Sequence, residues 1–530
     1  MTVEQFLKEQ NEQFQILLKK SSYAGWMAQT TGEKKWAEEA GKASSEFSLY
    51  YSDGERFEKV KELLSKEDLT AEQKRQLELL ETEMKENQMS KETIEELASM
   101  SSELNYLFNT YMPEVDGRKL SANDIRDILV NSTNNEEREK AWKASKEVGA
   151  EVSTKLLELV KKRNEAARSL GYENYYKMAF ANQELDLEEI FTIFTNLVEQ
   201  SDETFRALKS ELDASLAEKF QVKVSELRPW HYSDPFFQEA PANKEANLDP
   251  FFKGKNLETL TAETFNSMDM PIEGLYASSD LNPRDGKNPT AFCMDMDREG
   301  DIRVLCNNVD NTYWMGTMLH EFGHAAYNKY TNRDLPALLR SPAHILTTEA
   351  IAMLFGKMTE NREWLSKFLK LDDATLDKLA PSLEKHEQLK MLISARWIIT
   401  FVFFERALYE NPDQDLNALW WETVEKIQLV NPPENSSNPD WAAKIHFTLA
   451  PVYYQNYLLG ELTSAQLHQY ILTNISDEFF TPQVGAYIRD EFLAPGSSHH
   501  WNKKIEMVTG EPLNPAFFVK AYCEKTPVKK

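Results

Sequence analysis

The sequence predicts a mainly α-helical fold with one small β-hairpin. Up to residue 228 the chain has a single proline, Pro113, and it is rich in Glu, Lys, Leu and Ala, which favour helices. Apolar residues between Ile190 and Leu212 recur at helical spacing. Two short apolar runs flank Arg298–Gly300, a pattern that indicates a hairpin. Long amphipathic helices are therefore expected in the first half of the chain, and the hairpin in the second.

The composition is that of a folded globular protein, and it limits the classes of partner. Of the 530 residues, 41% are hydrophobic and 28% charged, and the formal net charge is -26. An acidic surface repels phosphate backbones and anionic lipids, so neither nucleic acid nor a membrane is expected as a partner. The N-terminal stretch MTVEQFLKEQ has neither the basic nor the apolar region of a signal peptide. With three cysteines, too few for a disulfide framework, the expected location is the cytoplasm.

Loops divide the second half of the chain, but none resembles a long flexible linker. Stretches rich in Pro, Asn, Asp or Gly occupy residues 234–252, 280–289, 431–440 and 494–498. A single domain is therefore expected. In the predicted hairpin, Cys293 and Cys306 are expected to face each other as two thiols, because a reducing compartment disfavours a disulfide.

The stretch TMLHEFGHAAY, residues 317–327, has the spacing of a zinc-binding helix. It follows Asp310 and Asn311, which are good helix caps. Two histidines four residues apart, His320 and His324, lie on one face of a helix and can both bind one ion. Glu321 lies about 100° around the same helix, where it can act as a general base. The alternative is a chance match, expected in on the order of one per cent of sequences with this histidine content.

A third ligand is expected in the following helix. The stretch HILTTEAIAMLFGKM contains Glu349, 25 residues after His324, in otherwise apolar surroundings. A catalytic zinc takes three protein ligands and leaves one position open. One Zn²⁺ per chain is therefore expected on His320, His324 and Glu349. Such an ion lowers the pKa of a water molecule, and Glu321 accepts its proton.

Beyond these motifs, the chain resembles the zinc peptidyl-dipeptidases related to angiotensin-converting enzyme. It is more distantly similar to thimet oligopeptidase and oligoendopeptidase F. The resemblance lies in SSYAGWMAQTTGEK (21–34), NEAARSLGYENYYKM (164–178), DLPALLR (334–340) and ALWWETVEKIQLVNPPENSSNPDWAAKIHF (418–447). It implies a large, mainly helical, two-lobed metallopeptidase fold with a deep central channel, forming one catalytic domain over residues 1–530. The helices of residues 1–115 would form a lid on that channel.

The resemblance assigns roles to a second cluster, KIHFTLAPVYYQNY at residues 444–457. His446 and Tyr457 would donate hydrogen bonds to the scissile carbonyl and to the oxyanion that forms there. Lys444 and Tyr454 would bind the C-terminal carboxylate of a substrate. Judged from residue types alone, a packed aromatic start of a helix explains the cluster equally well.

The chain departs from this family's pattern at three positions, and the resemblance also gives a role to Ala291. Tyr232, in PWHYSDPFF, stands where the family has a glutamine that binds the substrate carboxylate. Asn456 replaces an arginine that binds chloride, and Met353 replaces an aspartate that supports the zinc ligands. The backbone of Ala291, in the strand NPTAF, would bind an extended peptide; the alternative is a purely structural hairpin.

The function expected from these features is zinc-dependent hydrolysis of short peptides, with release of dipeptides from the C-terminus. Internal cleavage, as in thimet oligopeptidase, is the alternative that the missing glutamine supports. A non-catalytic peptide-binding scaffold is the alternative from another class, and the complete set of ligands and base disfavours it. Short peptides are the expected partners, and the chain is expected to be a monomer or a weak homodimer. The remaining histidines are expected to be structural or on the surface: His344, His386, His468, His499 and His500.

Overall fold

The computed structural model describes residues 1–434 and 437–524 and is mainly helical, as predicted. Its residues divide into two compact units. Unit 1 consists of Met1–Gln88, Glu245–Pro381 and Leu459–Phe517. Unit 2 consists of Met89–Lys244, Ser382–Leu458 and the residues from Phe518 onward. The predicted channel and the single catalytic domain stay predictions.

Unit 1 begins with four helices that share one apolar core. They are Val3–Thr31, Lys34–Tyr51, Gly54–Leu64 and Ala71–Glu86. The first and fourth start with reciprocal capping pairs, Thr2 with Gln5 and Thr70 with Gln73, which satisfy backbone N–H groups that lack partners within the helix. Buried side chains from all four fill the core: Phe6, Leu7, Tyr51, Val60, Leu63, Leu77, Leu80 and Met84. The residues of the predicted lid fall in both units, and its role stays a prediction.

The rest of unit 1 surrounds two helices that contain the HExxH motif and Glu349. We call Thr312–Tyr330 the HExxH helix and Ile345–Gly356 the Glu349 helix. The other helices that lie wholly in this unit are Asp249–Phe252, Leu257–Asn266, Arg362–Lys367, Pro482–Tyr487, the π-helix Ile488–Leu493 and Trp501–Thr509. The predicted helix after Asn311 and the one that contains Glu349 are thus both confirmed.

The predicted hairpin packs on the HExxH helix and consists of strands Phe292–Asp295 and Ile302–Leu305. The strands are antiparallel, with Asp295 opposite Ile302. Positive φ angles of 59° at Arg298 and 124° at Gly300 reverse the chain between them. Cys293 and Cys306 are both free thiols, as expected, but they do not face each other, because Cys293 lies opposite Val304 and Cys306 follows the end of its strand.

Unit 2 is built from long helices and one very short sheet. The helices that lie wholly in it are Lys91–Thr110, Ala122–Asn131, Asn135–Ser169, Tyr175–Asn182, Leu187–Phe220, Leu416–Gln428 and His446–Leu449. The apolar periodicity after Ile190 is confirmed by the helix Leu187–Phe220. Strands Glu114–Val115 and Arg118–Lys119 were not expected, although Asp116-Gly117, with φ of 51° and 80°, is a favourable hairpin turn.

Three helices cross the division between the units: Asp373–Glu410, Gln455–Asn474 and Ala516–Tyr522. In the first, the division falls at Pro381, which lies inside the helix and lacks a backbone N–H to donate. Among the described residues, no helix has the length and apolar character needed to cross a membrane.

Candidate metal centre and second cluster

The HExxH helix begins where its sequence predicts. The backbone N–H of Trp314 donates to the side chain of Asn311 at 2.9 Å, which caps the first turn. From this start, His320 and His324 lie one turn apart on the same face, and their ring centroids are 4.9 Å apart. The cap thus fixes where both imidazoles lie.

The Glu349 helix is capped by a histidine. Nδ1 of His344 accepts the backbone N–H of Leu346 at 3.0 Å, and the backbone N–H of His344 donates to Oγ1 of Thr347 at 3.2 Å. The structural role predicted for His344 is confirmed. Glu349 follows in the second turn, with a side chain that is 13% exposed.

Small residues bring these two helices close together. A Cβ atom added at Gly323, in the HExxH helix, would lie 2.9 Å from the Cα atom of Ala352, in the Glu349 helix. One added at Gly356 would lie 3.2 Å from Cβ of His320. Real side chains would push the helices apart, so both glycines allow the approach that brings the three candidate ligands together.

A third helix reaches the candidate site at Gly460. A Cβ atom at this position would lie 2.9 Å from Cβ of Glu349 and 3.2 Å from Sδ of Met353. Gly460 therefore allows the helix Gln455–Asn474 to pack directly against the backbone and side chain of Glu349. Sδ of Met353 therefore lies beside Gly460, next to Glu349.

The three predicted ligands converge. Their candidate ligand atoms all lie within 4.8 Å of one another, in a group that is unique among the described residues. Nε2 of His320 is 3.8 Å from Oε2 of Glu349, and Nε2 of His324 is 4.0 Å from Oε1. Ligand atoms of a tetrahedral zinc ion lie about 3.3 Å apart. The two His–Glu distances exceed this value by less than 1 Å, so the residue types and their convergence fit a zinc ion.

The protonation states also suit a cation. Burial lowers the pKa of His320 to about 4 and that of His324 to about 3, so both rings are neutral near pH 7. Burial, with the nearby charge of Glu461, raises the pKa of Glu349 to about 7. Burial and Glu349 raise the pKa of Glu321 to about 8. Buried carboxyl groups side by side are costly without a positive charge between them.

Thr348 supplies the support that Met353 does not. Its hydroxyl oxygen lies 2.7 Å from Nδ1 of His324. A proton on Nδ1 directed to this hydroxyl leaves the lone pair of Nε2 facing Glu349. A further carboxylate, that of Glu461, lies close to His320 and Glu349. It forms an ion pair with Nζ of Lys357 at 2.7 Å.

The second cluster lies in unit 2 and is compact. The rings of His446 and Tyr454 are 4.9 Å apart, and those of Tyr454 and Tyr457 are 5.4 Å apart. The hydroxyl of Tyr454 accepts a hydrogen bond from Nε1 of Trp397 at 2.9 Å. Burial, reinforced by Lys444, lowers the pKa of His446 to about 4. The structure thus brings all four predicted residues of the stretch 444–457 together.

Gln238, rather than Tyr232, lies beside Lys444. Nζ of Lys444 donates to Oε1 of Gln238 at 2.8 Å. The hydroxyl of Tyr232 instead contacts Nζ of Lys209 and Oδ1 of Asp213, at 2.8 and 2.9 Å. The expectation that Tyr232 replaces the family's glutamine is therefore wrong. Burial lowers the pKa of Lys444 to about 8, which leaves it cationic at neutral pH.

Asn456 and Ala291 have local roles in the structure. Nδ2 of Asn456, at the position of the chloride-binding arginine, donates to Oε1 of Gln183 at 2.8 Å. Ala291 lies just before the strand Phe292–Asp295 rather than within it. Its predicted contact with a peptide stays a prediction.

Comparison with known families identifies the chain. The model described as peptidase family M3 matches residues 128–524, which include both clusters. The chain belongs to peptidase family M3. The model described as angiotensin-converting enzyme matches residues 1–225. Together they show that the chain is related to angiotensin-converting enzyme and support peptide hydrolysis by a metallopeptidase.

Two relatives are consistent with this assignment. Angiotensin-converting enzyme of Theromyzon tessulatum is 23% identical to this chain over 450 residues. The match covers 75% of this chain and 70% of that protein. The inactive angiotensin-converting enzyme-related protein of Caenorhabditis elegans is 27% identical over 304 residues, or 52% of the chain. The match spans only 32% of the nematode protein.

Three residues beside the two clusters were not predicted from the sequence: Thr348, Glu461 and Gln238. Thr348 precedes the candidate ligand Glu349 directly, so its proximity to the site could have been inferred. Gln238 follows the apolar stretch DPFF, six residues after Tyr232, and no spacing rule links it to Lys444. Glu461 lies 112 residues after Glu349, and only the fold reveals that they are close.

Proposed function

We propose that this chain is a zinc-dependent peptidase that holds the ion with His320, His324 and Glu349. The convergence of these three side chains is the observation that supports the proposal most strongly. The hydrogen bond between His324 and Thr348 adds to it, because metal-binding histidines almost always direct their other ring nitrogen to a hydrogen-bond partner. The nematode relative is named as inactive, and the corresponding alternative for this chain is a non-catalytic peptide-binding scaffold. Such a scaffold would not require Glu321 beside the candidate ligands.

Glu321 is the proposed general base. When bound, the ion would supply Lewis acidity that polarises a peptide carbonyl and makes a water molecule more acidic. The carboxylate of Glu321 would accept the proton of that water and pass it to the leaving amine. By resemblance, His446 and Tyr457 would donate hydrogen bonds to the oxyanion, and this assignment rests on the sequence.

The proposed substrates are short peptides with a free C-terminus, from which dipeptides are released. Lys444 offers a cation, and Gln238 and Tyr454 lie around it as further polar groups. A substrate carboxylate is a natural partner for such a set. The missing glutamine was the reason to prefer internal cleavage, and Gln238 removes that reason. Cytoplasmic location and a monomeric or weakly dimeric state are part of the same proposal.

The test compares one short peptide with a free and with an amidated C-terminus by mass spectrometry. Dipeptides released from the free acid alone would support exo-cleavage, whereas internal cuts in both forms would establish the endo-acting alternative. Gln238→Ala is expected to raise KM for the free acid about tenfold, because a hydrogen bond to a charged group is lost. Tyr232→Phe is the matched control and should leave KM unchanged; a rise there would contradict the assignment of Gln238.

A further inference from the structure

Val452, between the two halves of the second cluster, has an unusual backbone conformation. Its φ angle is 55°, in the left-handed region that β-branched residues rarely adopt. Its side chain is fully buried. Such a conformation costs on the order of 1–3 kcal/mol and persists only where neighbouring groups enforce it. It lies between His446 on one side and Tyr454 and Tyr457 on the other.

Both backbone groups of Val452 are held by side chains. Its N–H donates to Oε1 of Glu405 at 3.0 Å, and Glu405 is fully buried. Its carbonyl oxygen accepts hydrogen bonds from Nε2 of Gln183 and Nε2 of Gln455, both at 2.8 Å. These three hydrogen bonds all come from side chains and not from the backbone of a helix or strand. We call Glu405, Gln183 and Gln455 the Val452 bracket.

Gln183 of the Val452 bracket also forms hydrogen bonds with the residues that follow Tyr454. Oε1 of Gln183 also accepts from the side chains of Gln455 at 3.1 Å and Asn456 at 2.8 Å. Asn456 directly precedes Tyr457, so this contact fixes the first turn of the helix that holds the tyrosine.

Arg163 holds the histidine side of the segment. Its guanidinium group donates to the carbonyl oxygens of Phe447 and Thr448 at 2.8 and 2.7 Å. These residues belong to the short helix His446–Leu449, whose carbonyl groups lack partners within so short an element. Burial raises the pKa of Glu405 to about 8, although its hydrogen bond from the Val452 N–H and the charge of Arg163 oppose that shift, so near pH 7 it is mainly a neutral carboxyl group. The chain is therefore held by side chains before and after the strained residue.

Resting on the proposed function, we propose that Glu405 is a positioning residue: through the N–H of Val452 it holds the turn that sets His446 against Tyr454 and Tyr457. It does not touch the substrate. Its carboxyl group compensates for the strain at Val452, so that the imidazole and the phenol hydroxyl are in place before a peptide binds. Preorganised donors of this kind act on the transition state and therefore on kcat.

Three variants separate positioning from simple packing. Glu405→Leu removes the acceptor and leaves the N–H of Val452 buried without a partner, so kcat should fall about 10-fold to 100-fold. Glu405→Gln keeps an acceptor oxygen, and its amide nitrogen takes the place of Oε2, which has no hydrogen-bond partner among the described residues. It should therefore retain kcat close to that of the wild type.

The decisive variant is the double substitution Glu405→Leu with Val452→Gly. Glycine adopts φ near +55° without strain, so the turn depends less on the Glu405 carboxyl group and part of the lost kcat should return, although the N–H at position 452 still lacks its acceptor. If Glu405 only fills space, glycine at position 452 adds a cavity and the double variant is worse than the single one. That result, or wild-type kcat in Glu405→Leu, would overturn the proposal.

A second measurement does not depend on peptidase activity. Hydrogen exchange of the peptide covering residues 446–457, followed by mass spectrometry, should be faster in Glu405→Leu and restored in Glu405→Gln. If the wild-type chain hydrolyses no peptide, the proposed function fails, and exchange alone then decides the role of the bracket. Unchanged exchange in Glu405→Leu would contradict it in either case.

Discussion

Thr348 illustrates what a single hydroxyl group contributes at the candidate metal centre. It lies 2.7 Å from Nδ1 of His324 and orients that ring. Thr348→Val keeps the shape and removes the hydrogen bond, so zinc affinity should fall about 10-fold to 100-fold, as measured by competition with a chelator. Thr348→Ser keeps a hydroxyl and should retain the affinity. Equal affinity in the valine and serine variants would show that the hydrogen bond is not needed.

Lys504, in unit 1, gives the chain a pH-dependent stability. It is buried, and its Nζ donates only to neutral groups, the hydroxyl of Tyr327 at 2.7 Å and the carbonyl of Gly496 at 2.9 Å. Burial lowers its pKa to about 7. Between pH 7 and 10 the unfolded chain binds the proton more tightly, so stability rises with pH; below about pH 7 both states are protonated and the contribution levels off.

The expected size of this effect is about 2 kcal/mol between pH 7.5 and 9, measured as the free energy of unfolding in urea relative to Lys504→Met. The methionine fills a similar volume without a titrating group. Parallel pH profiles for the two proteins would refute the assignment, because a lysine with its usual pKa contributes no slope in this interval.

At the scale of elements, the position of Glu349 depends on how closely helices approach. Gly460→Ala places a Cβ atom 2.9 Å from Cβ of Glu349, so the helix Gln455–Asn474 or the ligand must move. We expect about tenfold weaker zinc binding and a similar loss of turnover. Gly41→Ala, in the helix Lys34–Tyr51 with open space around it, is the control and should raise helix stability by up to about 1 kcal/mol. Unchanged zinc affinity in Gly460→Ala would contradict this account.

The elements themselves could be predicted where periodicity and caps agree. The HExxH helix, the hairpin and the helix after Asp186 follow from local patterns, because each satisfies its own backbone hydrogen bonds. The roles of Gln238, Glu405 and Glu461 could not be predicted, since each acts on residues far away in the sequence. The wrong expectation for Tyr232 has the same origin, because sequence order alone does not determine which side chain of a loop reaches a buried lysine.

At the scale of the whole molecule, the two units are less visible in the sequence than their helices. Three boundaries, after Pro381, after Leu458 and after Phe517, fall inside α-helices rather than in the loops rich in Pro and Asn. The relation to zinc peptidases could nevertheless be predicted from the sequence, because motifs spread over the chain, from SSYAGWMAQTTGEK to KIHF, resemble those of the family.

The most direct measurement is zinc content together with peptide hydrolysis, for the wild type and for Glu321→Gln. The account predicts about one zinc ion per chain in both proteins, and a loss of hydrolysis of roughly 100-fold to 10,000-fold in the variant, because only the proton acceptor is removed. Full hydrolysis by Glu321→Gln would contradict the assigned base. A folded wild-type chain that binds no metal and cleaves no peptide would contradict the whole proposal.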